Sequence, residues 1–302
     1  MILEETYTLS NGVEIPKLGL GTWFISNKDV VQAVKDAAEI GYRHIDTAQA
    51  YRNERGVADG IRVSGVKRED MFVSTKLAAE AKSYKEAVSA VDQSLQTMGL
   101  DYIDMMIIHG PQPWRRFRGE DRYFEGNCEA WRALEKAYEA GKLRAIGVSN
   151  FEEADIENIL ESCSVQPMVN QTLAHISNTP RELIQYTQDK GILVEAHSPI
   201  AHGELLKNEQ VAKIAEEYGA TIPQLSIRYL LQLGVLPVPK TANPEHMRSN
   251  ADVNFVISEA DMDVLKNVEQ IEDYGSASMF PVYGGQLNLK SMLSMIFGLI
   301  RG

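Results

Sequence analysis

The chain has 302 residues, enough for one large domain or two ordinary ones and for a full-sized core. Hydrophobic residues make up 44% and charged residues 24%, an ordinary globular balance, and a net charge of -12 argues against nucleic acid and anionic membranes as main partners. Two cysteines, Cys128 and Cys163, form neither a disulfide framework nor a metal-ligand spacing. A reducing, cytoplasmic setting is the simplest expectation: Met1–Glu5 lacks the order of a secretory signal, and no apolar run reaches the roughly 20 residues of a membrane span.

Thr6–Leu9 and Val13–Ile15 flank Ser10-Asn11-Gly12, and Asn-Gly between extended runs predicts an N-terminal β-hairpin. Lys17–Gly21 reads as a first barrel strand and Asp29–Ile40 as a helix stopped by Gly41. Strand-like runs then recur at Arg43–Ile45, Met71–Thr75, Tyr102–Ile108, Leu143–Val148, Met168–Val169, Ile192–Ala196 and Val235–Val238. Amphipathic stretches alternate with them: Glu54–Val63, Tyr84–Met98, Asn127–Ala140, Glu153–Glu161, Pro180–Lys190, Asn208–Tyr218 and Ile222–Gln232. This alternation implies an α/β protein with parallel strands and outer helices. At this length it predicts a (β/α)8 TIM barrel in a single domain, 1–302, with a doubly wound open sheet as the alternative.

Two further stretches stand out. Gly110–Gly126 carries Trp114, Phe117, Tyr123 and Phe124 among four arginines, which suits either a pocket wall or a solvated excursion. At the end of the chain Leu289, Met292, Leu293, Ile296, Phe297 and Ile300 recur at helical spacing, predicting a short helix docked on the barrel or serving a dimer contact. Monomer and homodimer both stay open.

The candidate chemistry is positional. Asp46, Lys76, His109, Ser149, Asn150, Gln171, Ser198 and Lys240 fall at or just past the C-terminal ends of expected strands, which in a barrel form one rim. Tyr51 follows Asp46 by five residues, at the start of a helix. Taken singly, Asp46 could be a helix cap and His109 a satisfied core histidine. Together, a carboxylate, phenol, amine and imidazole suit protonation of a carbonyl oxygen, because an ammonium beside a phenol lowers its pKa and Asp46 would hold Lys76 in place. No nucleophile or metal motif accompanies them, so the attacking group would be a hydride from a cofactor. No Gly-x-Gly-x-x-Gly opens a βαβ unit, which argues against a Rossmann site. Lys240 and Thr241, just before the helix start at Asn243-Pro244-Glu245, suit a phosphate.

From Leu9 to Tyr283 the chain resembles the aldo-keto reductases. The resemblance is carried by Gly19-Leu20-Gly21-Thr22-Trp23, Asp46 to Glu54, Ile108-His109-Gly110-Pro111, Gly147-Val148-Ser149-Asn150-Phe151, Asn170-Gln171 and Pro239-Lys240-Thr241. It implies a (β/α)8 barrel that reduces a small-molecule carbonyl substrate with NADPH. In that comparison Tyr51 is the general acid, Lys76 its partner, Asp46 the lysine's anchor and His109 the residue that orients the carbonyl. Ser149, Asn150 and Gln171 would hold the nicotinamide carboxamide, and Ser198 and Ile200 the pyrophosphate. Lys240 and Thr241 would take the 2'-phosphate and Asn250 the adenine, with Thr22 and Trp23 beside the cofactor. Trp23, His109 and Trp114 would bound the substrate, covered by Ser278 to Tyr283. Three positions depart from the family pattern. His197 replaces a tyrosine that stacks on the nicotinamide, His246 an arginine at the 2'-phosphate and Ser249 a glutamate at the adenine, which leaves NADH open beside NADPH and makes His197 a candidate for pH-sensitive binding. A catalytically weak nicotinamide-binding subunit, or a sugar-phosphate isomerase or lyase on the same barrel, are the alternative functions.

Overall fold

A computed structural model describes residues 1–285; the amphipathic stretch expected from Leu289 to Ile300 lies outside the described residues. Strands β1 (Thr6–Thr8) and β2 (Glu14–Pro16) form the expected antiparallel hairpin. Its turn is tied by the Asn11 side chain, which accepts from the Val13 amide at 3.1 Å and donates to the Arg144 carbonyl at 2.9 Å. Arg144 lies at the start of a barrel strand, just after Leu143, so the hairpin closes the end of the barrel opposite the rim.

The barrel strands are β3 (Leu20–Gly21), β4 (His44–Asp46), β5 (Phe72–Leu77), β6 (Ile103–Ile108), β7 (Leu143–Ser149), β8 (Val169–Leu173), β9 (Leu193–His197) and β10 (Leu236–Val238). All are parallel and each pairs with its sequence neighbour. The ends meet: Gly19 and Gly21 donate to the carbonyls of Pro237 and Pro239 at 3.2 and 3.1 Å, and Gly21 bridges Lys240. A Cβ on Gly21 would lie 2.8 Å from the Val238 carbonyl oxygen, so glycine is required for this closure. Eight parallel strands thus form a nearly closed (β/α)8 barrel, and the open-sheet alternative is ruled out.

Helices α1 (Asp29–Ile40), α2 (Glu54–Ser64), α3 (Tyr84–Met98), α4 (Phe124–Glu139), α5 (Glu153–Leu160) and α6 (Arg181–Asp189) follow β3 to β8 in turn. Beyond β9 come α7 (Glu209–Glu217) and α8 (Ile222–Gln232), and beyond β10 α9 (Pro244–Ala251) and α10 (Glu259–Leu265). Every residue of β5 and β6 is buried, as strands covered on both faces must be, and their apolar side chains pack with the inner faces of the helices. Two differences from expectation have clear causes. β8 runs to Leu173, past the apolar pair Met168–Val169, because Asn170, Gln171 and Thr172 are buried polar residues of the barrel interior. α4 starts at Phe124, three residues early, after Tyr123 turns the chain with φ 56°. The preceding loop folds on buried Gln112, which accepts from the Arg118 amide at 2.6 Å and donates to the carbonyls of Gly119 and Asp121 at 2.9 and 2.6 Å. Both readings of that loop hold in part: Trp114 faces a cavity, while Arg115, Arg116 and Arg118 are exposed.

Candidate active site

The turn after β4 is locked from several sides. Gln49 donates to the Ala90 carbonyl and the Ser94 hydroxyl, both at 2.8 Å, and accepts from the Ala78 amide at 2.9 Å. Asn53 accepts from the Thr47 hydroxyl at 2.6 Å and donates to the carbonyls of Thr22 and Ile25. Buried Glu54 accepts from Thr75 at 2.7 Å and Ser94 at 2.8 Å. A third of the Asp46–Glu54 stretch is therefore scaffolding that holds Tyr51 over the barrel.

Below it lies a buried charged layer. The Lys76 ammonium, fully enclosed, sits 2.6 Å from both oxygens of Asp46 and 2.9 Å from the Thr47 carbonyl. It lies 5.1 Å from the centroid of the Tyr51 ring, whose edge meets the His109 ring at 5.7 Å between centroids. Gln171 joins the layer, donating to Asp46 Oδ1 at 3.2 Å and to Glu195 Oε1 at 3.0 Å. Burial, reinforced by the charges of Asp46 and Glu195, drives the Tyr51 hydroxyl well above the ordinary tyrosine range. The lowering expected from Lys76 is not the net result, because desolvation of a phenolate outweighs it. Burial, followed by the charge of Lys76 and then His197, holds His109 well below the usual histidine range, so its ring is neutral. Its Nδ1 has no partner among the described residues. A protonated phenol and a neutral imidazole at one cavity can both hydrogen-bond an oxygen placed between them.

The opposite wall is polar. Asn150 and Ser198 follow β7 and β9 in the left-handed region, at φ 59° and 55°, a conformation unusual outside glycine and one that gathers at functional sites. Asn150 donates to the His109 carbonyl at 3.1 Å and the Ser149 hydroxyl at 3.0 Å, and its Oδ1 accepts from His197 Nε2 at 3.1 Å. The Ser198 hydroxyl meets the Tyr283 hydroxyl at 2.7 Å and the His202 ring at 3.3 Å. Burial, then Lys76 and His202, lowers His197 to about 3. His197 is therefore neutral over the working pH range, which corrects the expectation that it confers pH-sensitive binding.

These walls enclose a cavity of about 460 Å³. Of the residues singled out in the sequence, Thr22, Trp23, Asp46, Tyr51, His109 and Trp114 line it on one side. Ser149, Asn150, Gln171, His197, Ser198, Ile200 and Lys240 line the other. Lys76 lies outside the lining, bonded to both oxygens of Asp46. Thr241, His246 and Asn250 lie outside this lining: Thr241 and Asn250 are buried, and His246 is exposed on α9. The expected cover is present, with Phe280 and Tyr283 closing over Trp23 at ring distances of 5.0 and 6.3 Å. Three residues were missed. Phe24 and His202 stand in the cavity wall, in loops without a residue-level signal. Glu195 had a signal, since a carboxylate inside an apolar strand run demands a partner. The donors and acceptors of Ser149, Asn150 and Gln171 beside the flat His197 ring fit an amide-bearing aromatic ring such as nicotinamide.

Comparison with known proteins agrees with this geometry. The model of the Aldo/keto reductase family matches residues 17–270. Over 275 residues the chain is 41% identical to the glyoxal reductase of Bacillus subtilis, covering 90% of this chain and 96% of that one. It is 36% identical to the morphine 6-dehydrogenase of Pseudomonas putida, covering 86% of this chain and 90% of that one. Among solved structures, a Bombyx mori aldo-keto reductase in complex with NADP superposes with a TM-score of 0.81 at 30% identity, covering 91% of this chain and 95% of that one.

Proposed function

The chain belongs to the aldo/keto reductase family of oxidoreductases, and from that membership we propose that it reduces an aldehyde or ketone to the alcohol, with NADPH as hydride donor and Tyr51 as proton donor. The observation that carries the reading is the Tyr51 phenol set above the buried Asp46–Lys76 pair and beside the His109 ring. NADPH, when bound, would supply the hydride for the carbonyl carbon. Tyr51 gives its proton to the carbonyl oxygen, and the Lys76 ammonium, anchored by Asp46, stabilises the phenolate that results. His109 hydrogen-bonds the same oxygen and fixes its direction. Trp23 and Trp114 exclude water and pack against the substrate body. Ser149, Asn150 and Gln171 hold the carboxamide, and Ser198 and Ile200 the pyrophosphate. Lys240, at the cavity wall, and Thr241 would take the 2'-phosphate, and Asn250, outside the cavity, the adenine. With exposed His246 in place of a fixed positive charge, NADH is retained as a second donor to be screened.

The relatives named glyoxal reductase and morphine 6-dehydrogenase suggest a small aldehyde in one direction and a bulky alcohol in the other; the same residues serve both. We place the activity in one domain and in the cytoplasm. The test is loss of reduced-nicotinamide absorbance with a panel of aldehydes and ketones. Tyr51→Phe should cut turnover by ~10²–10⁴-fold and leave NADPH binding intact. Full activity in that variant overturns the assignment. Cofactor binding without turnover across the panel favours a regulatory subunit instead.

A further inference from the structure

Glu195 sits in the middle of β9, fully buried, directly opposite Gln171 in the β8–β9 register. Its Oε1 accepts from Gln171 Nε2 at 3.0 Å, and its Oε2 has no hydrogen-bond partner among the described residues. Gln171 Nε2 spends its other hydrogen on Asp46 Oδ1 at 3.2 Å. An amide nitrogen has two hydrogens, and here both are claimed by carboxyl groups. Flipping the amide would set its carbonyl oxygen against Asp46 Oδ1 and break both N–H contacts. The two contacts together hold the amide in this orientation and leave the carbonyl oxygen as the end of Gln171, a cavity-lining residue, that neither carboxyl group engages.

We propose that Glu195 is a positioning residue for the cofactor: it holds the Gln171 amide in one of its two orientations, so that an acceptor meets the amino group of the nicotinamide carboxamide. The inference rests on the nicotinamide reading given above. Without Glu195, Asp46 alone would hold one hydrogen, and the amide could turn to trade acceptor for donor. The ionisable groups facing Glu195 are Asp46 from β4, Lys76 from β5 and Tyr51 from the turn beyond β4. Burial, then the Asp46 charge, pushes the Glu195 carboxyl up to about 8 against the pull of Lys76 and the Gln171 hydrogen bond. At neutral pH it is therefore a neutral acid, accepting through its carbonyl oxygen. As pH rises through about 8 it adds a negative charge below the nicotinamide site, which favours the cationic oxidised ring over the neutral reduced one.

The experiment measures NADPH and NADP⁺ binding by tryptophan fluorescence in the full chain, with thermal melts as a fold control. Glu195→Leu removes the acceptor and should weaken NADPH binding by about three- to tenfold. The double variant Glu195→Leu with Gln171→Ala should bind no more weakly than Gln171→Ala alone, since Glu195 acts through Gln171. Glu195→Gln keeps an acceptor and cannot ionise. It should bind NADPH as the unaltered chain does at pH 7, and should lack that chain's rise in NADP⁺ preference between pH 7 and 9. Wild-type affinity in a folded Glu195→Leu, or additive losses in the double variant, overturns the inference. Should Glu195→Leu fail to fold, an unchanged rise in NADP⁺ preference in Glu195→Gln overturns it. Failure of the unaltered chain to bind either nucleotide refutes the proposed function and this inference with it, whereas additive variants of a binding-competent chain refute this inference alone.

Discussion

Lys76→Met replaces the fully enclosed ammonium with an apolar side chain of similar length. Three short contacts vanish, two of 2.6 Å to Asp46 and one of 2.9 Å to the Thr47 carbonyl. Asp46, only 3% exposed, keeps one side-chain donor, Gln171 at 3.2 Å. Removing one partner of a buried ion pair costs ~3–5 kcal/mol, because the remaining charge is desolvated and uncompensated. Unfolding entropy scales with length and reaches about 0.6 kcal/mol per kelvin for 302 residues. The melting temperature at neutral pH should therefore fall by about 5–8 °C, read by circular dichroism or calorimetry. Asp46→Asn added to Lys76→Met removes the orphaned charge and should recover at least about half of that loss. A fall below about 2 °C, or a double variant no more stable than Lys76→Met, would refute the claim that this pair is a desolvated, mutually dependent unit.

Two other outcomes follow from the same structure. His246→Arg restores a fixed charge on the exposed face of α9 and should tighten NADPH binding by about tenfold with NADH unchanged, measured by fluorescence titration; equal effects on both would refute a 2'-phosphate role. Stability should fall as pH drops from 7 to 5. His44, His175 and His197 are lowered to about 3, burial being the leading cause, whereas unfolded imidazoles titrate near 6.5. Below that value the unfolded chain takes up protons that the native one refuses, so at pH 5 each site has lost ~2 kcal/mol. Glu195 opposes them, since its raised pKa stabilises at low pH and that stability is lost as pH climbs through about 8. A single glutamate does not outweigh three histidines, and melts in a pH series should peak near neutrality. His175→Gln, at a site bound to Tyr274 and Ser177, should flatten the acid limb; an unaltered limb would count against this account.

The barrel was legible because its signals are local and repeated. β5 and β6 are apolar runs buried on both faces, and each ends at the rim where Lys76 and His109 stand. What stayed illegible depends on contacts between distant residues. β8 looked short since its polar residues face the interior, where Gln171 bonds Asp46 and Glu195 across the barrel. The sequence sets an ammonium at the same rim as the tyrosine, but only the fold shows that the two lie 5.1 Å apart and that both are buried. The sign of the tyrosine shift was therefore misjudged, because charge type can be read from residues and desolvation cannot. Likewise a lone histidine at position 197 suggests titration, but enclosure among Lys76, His202 and Asn150 keeps it neutral. The Asp46–Glu54 stretch was read mainly for its chemistry, and a third of it proves to be scaffold: Gln49, Asn53 and Glu54 fasten the turn.

The reach of the family match bears on what the cavity admits. The match ends at residue 270, yet Phe280, Val282 and Tyr283 form part of the cavity wall. Phe280 meets Trp23 edge-on at 5.0 Å, and Tyr283 packs edge-on against His202 at 4.8 Å while its hydroxyl holds Ser198 at 2.7 Å. The layer beneath, from Asp46 through Lys76 to Gln171, comes from strands inside the matched region. The two parts thus answer to different constraints. The buried layer tolerates little change, since Asp46, Lys76 and Gln171 are bonded to one another. The cover is built from aromatic side chains on a short segment past the matched region, where a change of size alters the volume above Tyr51 without disturbing any buried charge. Kinship with a glyoxal reductase therefore carries over to the chemistry more directly than to the substrate, and the residues that discriminate among carbonyl compounds are to be sought at Trp114, Phe280 and Tyr283.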